Sequence, residues 1–291
     1  GVESITGSAG NDVLLGDSSG YIDGGAGNDT ITGGATNDTI LGGDGVDVVN
    51  TSAGSDNVDL GAGNDRYVVG TDAHVSAADT VTGGEGTDIL ELAVDMTDSA
   101  TTLQSFTGFE TLRMNNGATD TITMSNLLNT QGTITKIEFG DAGGAAMIVN
   151  NVGASVTDIQ LGTNAAAVTG DSATIDLLVD GSADSIAVKH DSGGNTATVA
   201  NLTMDDHETI SITTDTSTDD LVITAMDSAD LKTLTLTGAG DITITAFTAV
   251  TDMPTTVDAS GMTGASTVAL TSAVAAATMT GGSAVDTFTG G

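Results

Sequence analysis

The 291-residue chain carries 40 acidic side chains against 5 basic ones (Arg66, Arg113, Lys136, Lys189 and Lys232), a formal net charge of −35. That balance excludes general nucleic-acid binding, which needs cations on the phosphates, and disfavours docking on an anionic membrane. With no cysteine there are no disulfides or thiolate metal sites, no apolar run approaches the roughly 20 residues of a membrane span, and 38% hydrophobic content argues for a chain that folds once its charge is offset.

From the N-terminus, a nonapeptide recurs in phase: GSAGNDVLL (Gly7–Leu15), GGAGNDTIT (Gly24–Thr32), GGATNDTIL (Gly33–Leu41), GGDGVDVVN (Gly42–Asn50), TSAGSDNVD (Thr51–Asp59) and LGAGNDRYV (Leu60–Val68). The phase breaks over Val69–Ala78, resumes at Asp79 and in GGEGTDILE (Gly83–Glu91), and returns once more in GGSAVDTFT (Gly281–Thr289). The eighth position holds Leu14, Ile31, Ile40, Val49, Val58, Tyr67, Leu90 and Phe288. A short strand there turns that one side chain inward, because neighbouring strand residues face opposite ways. Gly24, Gly25, Gly27, Gly33, Gly34, Gly42, Gly43 and Gly45 supply turn conformations that other residues reach only with strain. A Gly-rich linker would need neither the aspartate phase nor the apolar one.

Two nonapeptides closing one flattened coil of about 18 residues stack Asp29, Asp47 and Asp65 on one edge, and Asp38 and Asp56 on the other. Asp12, Asp79 and Asp88 extend these rows. Coils about 4.8 Å apart make each row a ladder of like charges, a place suited to a hard dication taking six to eight oxygens. The eight-residue segment Gly16–Asp23 puts Gly20 where an aspartate is expected, so the site against Asp38 should be weak or empty, and Asp286 has no visible partner.

Beyond residue 91 a looser repeat appears. Pairs of alternate apolar residues recur at Leu90/Leu92, Leu112/Met114, Ile137/Phe139, Ile159/Leu161, Ile186/Val188, Ile210/Ile212 and Leu234/Leu236, spaced 22, 25, 22, 27, 24 and 24 residues. Several follow an acid or Thr, as in Phe109–Met114 and His207–Ile212. A second strand set lies between them: Asp120–Met124, Ala145–Val149, Ala173–Val179, Thr196–Ala200, Leu221–Ala225, Asp241–Ala246 and Ser266–Leu270. A coil of about 24 residues fits a β-solenoid; an antiparallel sandwich is the alternative that short, closely spaced strands also suit. Ser125–Asn129 before Gly132 reads as one serine-capped helical turn.

The nonapeptides resemble the RTX family of calcium-binding repeats. The resemblance, over residues 7–91 and 281–289, implies a parallel β-roll over 1–91 and the start of a second repeat block over 281–291; with the β-solenoid that the coil period predicts over 92–280, the chain is expected to be all-β. The resemblance also implies Ca2+ as cofactor, a Gram-negative source, and type I export in an unfolded state until the chain meets external calcium. RTX blocks accompany proteases, lipases, cytolysins, adhesins and surface-layer proteins. The Thr-, Ala-, Gly- and Asp-rich solenoid looks most like a surface-layer (S-layer) subunit, for which the expected partner is the chain itself in a calcium-dependent lattice on the cell surface. A polysaccharide anchor would lie outside this segment. The lack of an initiator Met and the stop at Gly290–Gly291 suggest a piece of a longer protein. An adhesin, or the secretion module of an exported hydrolase, are the alternatives.

An enzyme is not expected. GDSSG (Gly16–Gly20) matches a hydrolase nucleophile elbow but sits within the roll rather than at a strand-to-helix turn. His207–Glu208 opens like a zinc-protease motif, yet Ser211 stands where the second His belongs. His74, His190 and His207 are scattered, each read as a surface or strand residue. Asp205–Asp206 and Asp219–Asp220 read as solvated loop charge, or as extra calcium ligands.

Overall fold

The structure is a computed structural model and describes residues 3–18, 20–50, 52–93, 105–115, 120–123, 133–140, 146–162, 169–177, 180–191, 194–248, 253–270 and 277–290. The expected helical turn at Ser125–Asn129 lies outside these residues. The chain divides into two compact units, Gly1–Asn115 with Ile122–Thr135, and Asn116–Thr121 with Lys136–Gly291.

In the first unit the chain alternates between two parallel sheets. One contains Glu3–Thr6, Gly20–Ala26, Thr39–Asp44, Asn57–Ala62, Thr80–Thr82 and Phe106–Thr107. The other contains Val13–Leu15, Thr30–Thr32, Val48–Asn50, Arg66–Val69, Ile89–Leu92 and Thr111–Met114. The nonapeptide period fixes the register: Ile31 lies beside Val49 and Val49 beside Tyr67, while Ile22, Ile40 and Val58 align in the facing sheet. These residues are buried and form the core, into which Tyr67 and Phe106 fit edge to face with ring centroids 5.5 Å apart. The phase break after Val69 is absorbed by a single 3₁₀ turn, Asp72–His74, after which Arg66 pairs with Ile89.

The second unit repeats the plan with longer coils. Lys136–Phe139, Asp158–Leu161, Ser185–His190, Thr209–Thr214, Thr233–Gly238, Thr256–Met262 and Thr278–Thr280 build one sheet. Ala146–Val152, Thr169–Leu177, Ala197–Thr203, Leu221–Asp227, Ile242–Ile244, Ser266–Ala269 and Asp286–Thr289 build the other. Every described pairing is parallel, which excludes the antiparallel sandwich. A sandwich reverses direction at each hairpin, whereas a coil returns to the same sheet running the same way.

One register departs from the sequence spacing. Ile159 pairs with Val188, not Ile186, and Leu161 with His190. The slip is two residues, so inward and outward faces are preserved. The last nonapeptide contributes Asp286–Thr289 as a further strand against Ser266–Ala269. Among the described residues no helix is long and apolar enough to cross a membrane.

Candidate metal centre

Asp12, Asp29, Asp47, Asp65 and Asp88 stand just before strands of the second sheet and Asp38, Asp56 and Asp79 just before strands of the first, and the register that stacks the core stacks them too. Each main-chain N–H donates to the carboxylate of the next coil: Asp12 N to Asp29 Oδ1, Asp29 N to Asp47 Oδ1, Asp47 N to Asp65 Oδ1 and Asp65 N to Asp88 Oδ1, all at 2.8 Å. The row runs on beyond the nonapeptides, since Asp88 N donates to Glu110 Oε2 at 2.8 Å. On the opposite edge Gly20 N donates to Asp38 Oδ1 at 2.8 Å, and Asp38 N and Asp56 N donate to Asp56 Oδ1 and Asp79 Oδ1 at 2.9 Å. Gly20 thus fills the aspartate's place with its amide but brings no carboxylate.

The ladder uses one oxygen of each carboxylate. In the first row the other, Oδ2 of Asp29, Asp47, Asp65 and Asp88, is buried with no hydrogen-bond partner. These four residues are at most 1% exposed. A carboxylate oxygen sealed from water without a donor costs about 1–3 kcal/mol or more. Desolvation pushes Asp47, Asp65 and Asp88 above the usual carboxylate range, with neighbouring acids adding to it; Asp65, flanked by Asp47 and Asp88, reaches about 7. Desolvation likewise raises Asp56 in the second row, against the lowering effect of Ser52 and the Asp38 amide.

The turn glycines shape the same spot. Gly25, Gly43, Gly61 and Gly84 hold φ of +99°, +115°, +101° and +108°, in the left-handed region, as do Gly27 and Gly45 at +114° and +141°. A methyl added to Gly42 would meet Leu60 O and lie 2.7 Å from Asp47 Oδ2; one added to Gly24 would lie 2.5 Å from Asp29 Oδ2 and strike Gly42 O. Beside Asp29, Asp47 and Asp88 a carbonyl oxygen and an orphaned carboxylate oxygen therefore flank one small space, whereas Asp12 Oδ2 accepts from Ser8 N at 2.6 Å and Ser8 Oγ at 2.9 Å. Two such oxygens with no donor between them fit a hard cation and little else.

Sequence reasoning missed several supports. Asn11, Asn28, Asn37 and Asn64 accept from the turn amides of Asn28, Val46, Ser55 and Thr87 in the next coil, at 2.9–3.0 Å. Their signal was the Asn before the aspartate, recurring in GNDV, GNDT, TNDT and GNDR. Glu110 was visible only as the acid preceding a strand.

Other expectations are corrected. Asp286 has partners: Gly282 N at 2.8 Å and the Ser266 hydroxyl. Asp219 is fully buried rather than solvated, accepting from Gly194 N, Thr216 N and Thr216 Oγ1 to close a turn; Asp205 is half-buried and accepts from Ala229 N at 3.3 Å. His207 is neither on the surface nor in a strand, but buried in the turn before Thr209–Thr214. His190 is also buried, within its strand, its ring nitrogens 2.9 and 3.0 Å from Leu161 O and Asn195 O; His74 ends the 3₁₀ turn. Glu208 is held by Asp184 N at 2.8 Å and Lys232 Nζ at 3.3 Å. In the second unit Asp180, Asp206 and Asp230 bring one oxygen each within 4.8 Å of one another. Gly16–Gly20 leads directly into the strand Gly20–Ala26, with no helix following it.

Compared with known protein families, the chain matches the RTX calcium-binding nonapeptide repeat in four copies, at residues 1–20, 16–49, 41–73 and 76–93. No curated protein matches it.

Proposed function

Starting from a chain whose first 93 residues carry RTX calcium-binding repeats, we propose a calcium-dependent structural protein of the bacterial cell surface, an S-layer subunit that folds and assembles on extracellular calcium. The repeats bind Ca2+, and the carrying observation is the row of buried carboxylate oxygens left unpartnered at Asp29, Asp47, Asp65 and Asp88. A chain that must seal four such oxygens folds stably only where dications are plentiful. Extracellular calcium modules bind at about 10⁻⁴–10⁻³ M, so the roll would stay open in a cytosol and close outside.

The remaining support is the form of the second unit. Two adjacent coils stack Thr and Ser on their outward positions, Thr209, Ser211 and Thr213 beside Thr233, Thr235 and Thr237. Such regular flanks suit repeated side-by-side contact, and at −35 charge the protomers repel until dications intervene. On this reading the chain works by assembly and not by catalysis. Electron microscopy of the protein across a calcium series tests it: ordered sheets should appear at millimolar calcium and dissolve in chelator. Monodisperse, fully folded monomers at saturating calcium would refute the lattice role.

A further inference from the structure

The two edges of the roll differ, and the difference predicts where the metal goes. We propose that calcium is held along one edge only, in the gaps between Asp29, Asp47, Asp65, Asp88 and Glu110, and that the opposite edge closes on its own donors. The inference rests on the calcium reading of the repeats and sharpens it, since every aspartate of the nonapeptides would otherwise be a ligand.

On the second edge no carboxylate oxygen is left over. Gly34 N donates to Asp38 Oδ2 at 2.6 Å, Ser52 Oγ to Asp56 Oδ2 at 2.8 Å, and Ser76 N to Asp79 Oδ2 at 2.7 Å. None of these oxygens is among the buried unpartnered atoms, whereas the four of the first edge are. The space itself is occupied as well. A methyl on Gly33 would strike Ser52 Oγ, the serine that replaces the second glycine of its repeat, where the equivalent methyl on Gly42 meets only the Leu60 carbonyl and the free Asp47 oxygen.

The cause lies in the backbone. On the first edge the turn stays within the sheet: Gly25 pairs with Gly43 and Gly43 with Gly61, all at positive φ, so their amides are not directed to a carboxylate. On the second edge the strand Thr30–Thr32 ends before Gly33, Gly34 keeps φ out of the left-handed region, and its amide turns to Asp38. Sequence agrees with geometry. From Gly24 on, the first-edge repeats read GGAGND, GGDGVD, LGAGND and GGEGTD, while the second-edge repeats are altered to GGATND, TSAGSD and VSAAD. The first-edge repeat GSAGND, with Ser8 at the second glycine, has Asp12 Oδ2 closed by Ser8 N at 2.6 Å and lies outside the proposed sites.

The first edge also extends past the family pattern, whose matches end at residue 93. Glu110 accepts from Asp88 N at 2.8 Å as each aspartate accepts from the one before. Asp88 Oδ2 is buried and unpartnered, and a methyl on Gly83 would lie 2.7 Å from it and strike Gly108 O. The same pair of oxygens thus flanks a last space closed by a glutamate from outside the nonapeptides.

Counting calcium bound to the full chain by native mass spectrometry, with strand content followed by circular dichroism, tests this. Asp47→Asn should lose calcium, and Glu110→Gln, which keeps the acceptor for Asp88 N, should lose one ion while staying folded. Asp56→Asn should bind as many ions as the parent. An unchanged count in Glu110→Gln, or an equal loss in Asp56→Asn and Asp47→Asn, would overturn the one-edge arrangement. A parent chain that binds no calcium at all would instead overturn the calcium reading beneath it.

Discussion

Removing calcium should make the fold of the first unit depend on pH in the direction opposite to most acidic proteins, and Asp65 sets the size of the effect. Its carboxyl is raised from 3.8 to about 7 by desolvation and by Asp47 and Asp88, so the folded, metal-free chain holds a proton there that the unfolded chain releases. Stability then falls as pH rises between about 4 and 7, because the folded state binds the extra proton over that window. Keeping Asp65 ionised at neutral pH costs on the order of 4 kcal/mol, a large share of the roughly 5–15 kcal/mol that holds a domain together. Asp47 and Asp88 are raised in the same direction. Calcium at ten times its dissociation constant returns about 1.4 kcal/mol per site, so several filled sites reverse the trend. The assay is circular dichroism of calcium-stripped protein under urea at pH 5 and pH 8, with and without added calcium. The stripped roll should resist urea better at pH 5, and the loaded roll should be at least as stable at pH 8. Asp65→Asn keeps the acceptor for Asp47 N but removes the charge; it should raise stability of the stripped chain at pH 8 and lower it in calcium. A strand signal and urea midpoint that ignore both chelation and pH would refute the argument that buried, unpartnered carboxylates govern this fold.

Two further substitutions separate site geometry from simple loss of charge. Asp47→Asn should shift the calcium-folding midpoint to higher calcium because Asp47 serves the coils of both Asp29 and Asp65, whereas Asp205→Asn, in the second unit and outside the carboxylate row, should leave that midpoint unchanged; equal midpoints would contradict the stacked ladder. Gly43→Ala forces a side chain into φ +115° and against the Gly25 carbonyl, which should cost about 1–3 kcal/mol or more by thermal melting in calcium, while Gly70→Ala, with open space around it, should melt within about 0.5 kcal/mol of the parent.

The sequence by itself determined the period, and with it most of the first unit. A nine-residue repeat that places Asp and an apolar residue at fixed offsets has one way to bury Ile31, Val49 and Tyr67 together, and that stacking brings Asp29, Asp47 and Asp65 into a row. It also located the alternating strands of the second unit, because apolar residues two apart must share a face. Tertiary structure decided what periodicity cannot carry. Parallel rather than antiparallel pairing follows from how the chain returns, and the two-residue slip at Ile159–Val188 leaves the hydrophobic pattern unchanged, so the pattern could not reveal it. Asp47 and Asp56 have the same neighbours by phase, yet one keeps a bare buried oxygen and the other is covered by Ser52. The difference lies in whether the turn backbone remains in the sheet. Glu110 joins the row and Asp219 leaves solvent for the same reason: a carboxylate's role is set by which donors the fold brings within reach.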